Sequence, residues 1–243
     1  MTIDSAIFKI SGQILDNSKN LINTLAQLTQ LYEDHIIEKI LIIPGGGSLA
    51  NFVREIYSEF KINDELAHWI AIYSMNYNGK TLKVKFPHLE IIENFNNFKK
   101  VKRIFSIFLP YKEFKREDPL PHSWNVTSDS IALYCAYKLG LDECFLIKAV
   151  DGILDKNNRV VNELTTPEFK MLKNKGGLAK IYNNSSIMKE QTRPVDSYLT
   201  ELIDSYRINS IILNGVSTDL RILTYFTSTN KQSKIFTRII FEK

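Results

Sequence analysis

The chain has 243 residues, 44% hydrophobic and 24% charged, with a formal net charge of +4. That is enough for one large α/β domain or two small ones, with a sizeable core. The positive charge is mild and scattered, and no stretch approaches the about eighteen apolar residues of a membrane span; with no secretion-like N-terminal run, a cytoplasmic protein with no nucleic-acid or membrane partner is expected.

Short apolar runs alternate with amphipathic ones. "AIFKI" (6–10) predicts a buried strand and residues 18–35 a helix, from apolar residues at helical spacing. "KILIIP" (39–44) predicts a strand closed by Gly45, Gly46 and Gly47, with a helix over 48–60. A helix over 65–79 is expected to stop at Gly79, a residue common at C-terminal caps. The Lys- and Phe-rich segment 80–118 interrupts the rhythm and predicts a variable lobe or lid, around a strand at 103–110. Its basic patch "FKKVKR" (98–103) is read as a solvated helix end.

A polar stretch, "LPHSWNVTSDS" (120–130), opens a helix running from Thr127 to Leu139 and stopped by Gly140. Next come a strand at 144–150 and a hairpin over 152–161. Further on lie a helix near 194–206, a strand at 210–215, a helix near 218–226 and a last strand at 234–241. Strands that are apolar throughout and separated by helices imply a mainly parallel sheet covered on both faces. One domain over 1–243 is expected, with lobes at about 1–142 and 143–243.

Parallel sheets bind ligands at the carboxyl ends of their strands. Four polar clusters fall there. Lys9, Ser11 and Gly12 end the first strand, although strand lysines are usually just solvated. Three glycines ahead of a helix N-terminus make a natural anion cradle, or else a tight turn. Thr127 or Ser128 can cap the helix behind the polar stretch, and Asp129 in its first turn suits the dipole, yet caps leave His122, Ser123, Trp124 and Asn125 unexplained. Asp151-Gly152 reads as a turn or as the edge of a nucleotide site. His35, His68, His88 and His122 show no metal-ligand spacing, and Cys135 and Cys144 read as core thiols, so no protein metal centre is expected.

In this order, the four clusters resemble the amino acid kinase superfamily, from "FKISG" to "IILNG". "IPGGGSLANFVREI", "AHWIAIYSMNYNG" and "LPHSWNVTSDSIALYCA" are most similar to the archaeal-type (aminomethyl)furanyl-methyl phosphate kinases of methanofuran biosynthesis. The resemblance implies a three-layer αβα sandwich with an open, mainly parallel sheet. It implies an ATP- and Mg²⁺-dependent kinase that phosphorylates a small phosphate monoester to a diphosphate, in a homodimer or higher oligomer. Lys9 would neutralise the transferring phosphoryl group, and Asp129 would orient that lysine. Gly45, Gly46, Gly47, His68, Trp69, His122, Ser123, Trp124 and Asn125 would bind the acceptor. Ser11, Gly12, Lys148, Asp151 and Gly152 would lie by the nucleotide.

There are departures from the family pattern. Ser11 stands where a glycine is usual, and Ala149 where Asp or Lys is. "GGLAK" (176–180) is one residue short of the family's late lysine motif, leaving Lys189 or Arg193 as positional equivalents. Another acceptor, or nucleotide binding without catalysis, stays open on these residues.

Overall fold

The computed structural model describes residues 2–178, 194–216 and 218–242. The chain begins with β1 (Ile3–Ile10), a short α1 (Gly12–Leu15), α2 (Ser18–Glu33) and β2 (Ile37–Pro44). It continues through α3 (Gly47–Phe60), α4 (Asp64–Lys85), β3 (Glu90–Ile92), α5 (Phe95–Lys100), β4 (Ile104–Phe108) and α6 (Tyr111–Glu117). Then come α7 (Ser128–Leu139), β5 (Glu143–Lys148), β6 (Glu163–Thr165) and α8 (Thr166–Asn174). The last elements are α9 (Leu199–Tyr206), β7 (Asn209–Asn214), α10 (Arg221–Thr227) and β8 (Thr237–Ile240).

The strands form one eight-stranded sheet in the order β3-β4-β2-β1-β5-β7-β8-β6. Every pairing is parallel except β7 with β8. Side chains alternate across a strand, so β1 feeds both layers. Ile7 joins a core with α4, α7 and α9, while Phe8 and Ile10 join a second core with α1, α2 and α10. This is the expected three-layer sandwich. Lys9 shares the face of Ile7, and Lys148 that of Cys144 and Leu146. Two lysines at adjacent strand ends therefore point toward α7.

Two expectations are corrected. Gly79 does not end a helix, because α4 runs on to Lys85 with Phe86 as its C-cap. Its role is close packing: a Cβ there would sit 2.5 Å from Leu109 Cδ2 and 3.1 Å from Ile107 Cγ2. Segment 80–118 is not an irregular lid. It carries the end of α4, the edge strand β3, α5, β4 and α6, with Phe95, Phe98, Phe108 and Phe114 in the core.

Other readings hold. The hairpin after β5 closes through the bridge of Leu154 with Val160. Thr127 caps α7, and Gly140 ends it at φ 71°. Cys135 and Cys144 are free and buried, and burial pushes both thiols up. The expected helix at 194–206 starts only at Leu199. Its preceding turn carries Asp196, which matters below.

Candidate active site

A cavity of about 720 Å³ opens over the carboxyl ends of β1, β2 and β5. Its lining brings together Lys9, Ser11, Gly12, Gly46, Gly47 and Lys148 from the strand ends. His68, His122, Ser123, Trp124, Asn125 and Asp129 complete it from α4 and the start of α7. A cavity of this size suits a nucleotide-sized or smaller ligand.

The floor is a buried ionic cluster. Asp129, 3% exposed, accepts from Lys9 Nζ at 2.8 Å through Oδ1. Lys148 Nζ reaches both oxygens of the same carboxylate, at 2.7 and 2.6 Å. Burial would push the Asp129 carboxyl up, but the ammonium groups of Lys148 and Lys9 outweigh it and hold the group at about 2. Burial also lowers the Lys148 ammonium, to about 8, with Asp129 opposing and Lys9 adding to the fall.

The glycine loop is built by close backbone approach. A Cβ on Gly12 would lie 2.5 Å from Gly47 Cα, so the loops after β1 and β2 touch main chain to main chain. Gly47 adopts φ +59°, where side-chain-bearing residues are strained. Asp16 accepts from Ser48 N at 3.0 Å and so caps the start of α3.

Asp196 fixes the other wall. Its Oδ2 accepts from Thr127 N, Thr127 Oγ1 and Ser130 N at 2.9, 2.8 and 3.0 Å. Its Oδ1 accepts from Ser130 Oγ and Leu199 N at 2.7 and 2.8 Å. These bonds pin the first turn of α7, hence Asp129, to the start of α9. Burial and the nearby Asp129 raise the Asp196 carboxyl, although its donors oppose that.

The outer wall is aromatic. The His68 and His122 rings stack with centroids 4.2 Å apart, and Trp69 meets both edge-on. His122 Nε2 pairs with Asp118 Oδ1 at 2.8 Å. Burial, then the neighbouring His122, lower His68 to about 4, so it is neutral near pH 7. His68, Asp118 and His122 offer ligand atoms within 4.8 Å of one another. Nearly parallel stacked rings, however, aim their in-plane lone pairs along separate planes, which suits a wall better than a metal cage.

Gly45, Trp69, Asp151 and Gly152 lie outside the cavity lining. Gly45 is buried under the loop, donating to Ile10 O and accepting from Asn78 Nδ2. Trp69 backs the histidines, with Lys115 Nζ 4.2 Å over its ring. Asp151 accepts from Asn214 Nδ2 at 3.0 Å and lies 3.5 Å from Arg221 Nε, toward β7 and α10. Gly152 packs against Thr237 of β8. Lys180, Lys189 and Arg193 fall outside the described residues.

Sequence reasoning missed Arg54, Asp64 and Asp196, which also line the cavity. Arg54 follows Gly47 by two turns of α3, and its guanidinium lies 4.8 Å over the Trp124 ring. Burial lowers its pKa, and it has no carboxylate partner among the described residues. Asp64 accepts from Tyr57 OH at 2.6 Å through Oδ1, which leaves Oδ2 unbonded among those residues. Asp196 could have been read from the cap-like spacing in "VDSYL", because its carboxylate takes the Leu199 N–H three residues on.

The family model for the amino acid kinase family matches residues 5–214, and the chain belongs to that family. Among curated proteins, it is similar to [5-(aminomethyl)furan-3-yl]methyl phosphate kinase of Methanocaldococcus jannaschii. The two are 29% identical over 213 residues, which cover 86% of this chain and 87% of the relative. Among solved structures it resembles UMP kinase from Ureaplasma parvum, with TM-score 0.69, 20% identity and coverage of 99% and 97% of the two chains. Uridylate kinase from Archaeoglobus fulgidus follows, with TM-score 0.65, 13% identity and coverage of 99% and 100%. At these identities the two structures speak for the fold alone.

Proposed function

We propose that the protein transfers the γ-phosphoryl group of Mg·ATP to a small phosphate monoester, giving ADP and a diphosphate. (Aminomethyl)furanyl-methyl phosphate is the acceptor we favour, on the likeness to the M. jannaschii kinase. An acceptor phosphate oxygen bonds to the γ-phosphorus, the bond to the β–γ bridging oxygen breaks, and ADP leaves with the electron pair. The acceptor is already ionised, so no protein base is needed. What the protein must supply is positive charge and placement for two anions.

The observation that carries this reading is Arg54, a half-buried guanidinium facing the same cavity as Lys9 with no carboxylate partner among the described residues. A half-buried cation with no carboxylate beside it has lost hydration without full compensation, and an anionic ligand restores the balance. Arg54 and the glycine loop hold the acceptor phosphate, and Lys9 meets the γ-phosphate. ATP fits the residues present: cations at the strand ends and backbone N–H groups where two glycine loops touch. Mg²⁺ would arrive with ATP and supply positive charge to its phosphates, since Asp129 and Asp196 are already occupied by protein donors.

Phosphorus NMR with Mg·ATP tests this against (aminomethyl)furanyl-methyl phosphate, uridylate and isopentenyl phosphate. A new diphosphate signal with the furan alone is expected. ATP binding without turnover on any acceptor would sink the kinase reading. With the active acceptor, Arg54→Ala should raise the acceptor KM about tenfold to a hundredfold while the ATP KM holds. An unchanged acceptor KM would remove Arg54 from the site.

Asp64 is the carboxylate of the lining with an unbonded oxygen, and we assign it the acceptor's ammonium. Asp64→Asn should lower kcat/KM about tenfold for the amine-bearing acceptor and leave an analogue lacking the amine unaffected. Equal losses on both compounds would reject the assignment.

The expected homo-oligomer has a surface to use. Leu49, Phe52, Ile70, Tyr73 and Tyr77 are exposed along one face of α3 and α4, around an apolar groove. A patch of this kind is unusual on a free monomer, and a second copy of the chain is our choice of occupant. Light scattering should find a dimer that Phe52→Glu dissociates, and a monomeric wild type would reject it.

A further inference from the structure

We propose that Tyr57 is a positioning residue for acceptor choice: its hydroxyl fixes the Asp64 carboxylate at one reach from Arg54, so that acceptors carrying an amine at that distance from their phosphate are preferred. The proposal rests on the acceptor-site reading above, in which Arg54 takes the phosphate and Asp64 the ammonium.

The spacing is local in origin. Arg54 and Tyr57 are three residues apart on α3 and so share one face of the helix, their β-carbons about 5–6 Å apart. α3 stops at Lys61, which turns the chain in the left-handed region at φ 49°. Asn63 then caps α4, accepting from Leu66 N at 2.7 Å. This short turn brings Asp64, in the first turn of α4, back against Tyr57, whose OH donates to Asp64 Oδ1 at 2.6 Å. The carboxylate in turn holds the phenol above its ordinary value, so the hydroxyl stays a donor at neutral pH.

Trp124 closes the arrangement from the loop ahead of α7. Its ring meets Tyr57 edge-on, with centroids 5.7 Å apart, and carries the Arg54 guanidinium 4.8 Å over its face. One ring therefore steadies both the phosphate-binding cation and the tyrosine that holds the carboxylate. Arg54, Asp64 and Trp124 line the cavity and Tyr57 does not, so Tyr57 acts through Asp64. Asp64 is exposed, and a free carboxylate there would sample several rotamers. Anchoring Oδ1 leaves Oδ2 for an incoming ammonium and removes the cost of ordering the side chain on binding. Exposed ion pairs are weak unless their geometry is preset, so the choice of an amine depends on the bond from Tyr57.

If that bond only joined α3 to α4, its loss would change stability and leave acceptor choice alone. The test compares kcat/KM for the amine-bearing furan phosphate with that for the same compound carrying methyl in place of aminomethyl. Tyr57→Phe removes the hydroxyl and keeps the ring on Trp124. It should lower the ratio of the two about threefold to tenfold, through the KM of the amine-bearing compound, with kcat held within about twofold. An acceptor with one more methylene before the amine should serve wild type less well, and Tyr57→Phe should narrow that gap. In an Asp64→Asn background, Tyr57→Phe should lower the ratio no further, because the two residues act as one unit. A ratio unchanged by Tyr57→Phe, or lowered equally with and without the Asp64 carboxylate, would overturn the proposal.

The readings fail separately. Asp64→Asn costing both compounds equally ends the ammonium assignment and this proposal with it. A ratio that falls for Asp64→Asn but holds for Tyr57→Phe ends this proposal alone. A wild type that phosphorylates neither compound ends the kinase reading, and Tyr57 is then judged by calorimetry on the same two compounds. A binding preference for the amine that Tyr57→Phe removes upholds its role, and a preference absent from wild type or kept by Tyr57→Phe rejects it.

Discussion

Asp129→Asn is expected to lower kcat by about three orders of magnitude, the largest catalytic effect of any single change in this protein. The carboxylate is not a base here. It sets the positions of Lys9 and Lys148, both within 2.8 Å of its oxygens. The amide keeps the shape but loses the charge, so two ammonium groups are left facing one another in a buried site. Apo stability should fall by about 3 kcal/mol, the usual scale for breaking a buried pair. Mg·ATP, bringing its own negative charge, should raise the Tm of the variant more than that of wild type. Turnover within tenfold of wild type would refute the role. The pH dependence has a definite sign. The Asp129 carboxyl is held at about 2 against an ordinary value of 3.8. Its contribution to stability is full above the ordinary value and is lost as pH falls through about 2.

Asp196→Ala is expected to destabilise the fold by about 3 kcal/mol, because it strands the N–H groups of Thr127, Ser130 and Leu199 and two hydroxyls. For a chain of this length that is a fall in Tm of roughly 10 °C. Because the same bonds fix the first turn of α7, activity should drop along with stability. Asp196→Asn, which keeps one acceptor oxygen, should lie between wild type and alanine. A Tm for Asp196→Ala within about 2 °C of wild type would mean that water replaces the carboxylate at no cost.

Lys9 and Asp129 lie far apart in sequence and meet because α7 packs over β1 and β5. The pieces of that meeting were readable. Apolar runs marked β1, β2, β5 and β7, apolar spacing marked α2, and Thr127 with Gly140 bracketed α7. The order of the polar clusters resembled the family's and placed an anion-binding site at the strand ends. These signals are local, since each comes from one element's periodicity or from a cap or turn a few residues long.

What local sequence could not decide was set by neighbours distant in the chain. Gly79 reads as a helix stop, yet it lies inside α4 because Leu109 and Ile107 press against it and leave no room for a side chain. β3 has three residues, too few to show a period, and it is a strand because β4 offers it an edge. Lys148 reads as a strand-end residue near a nucleotide site, and only strand register shows that its ammonium meets Asp129. Nothing near Arg54 in the sequence marks it, because Trp124, whose ring it covers, lies 70 residues away. Asp196 became a keystone only when α9 packed on α7, joining residues 66 apart. The sequence by itself determined which residues could form each strand and helix and what chemistry they carried. Only the tertiary structure decided which charges would meet, because a buried ion pair depends on register and packing between elements that no local pattern encodes.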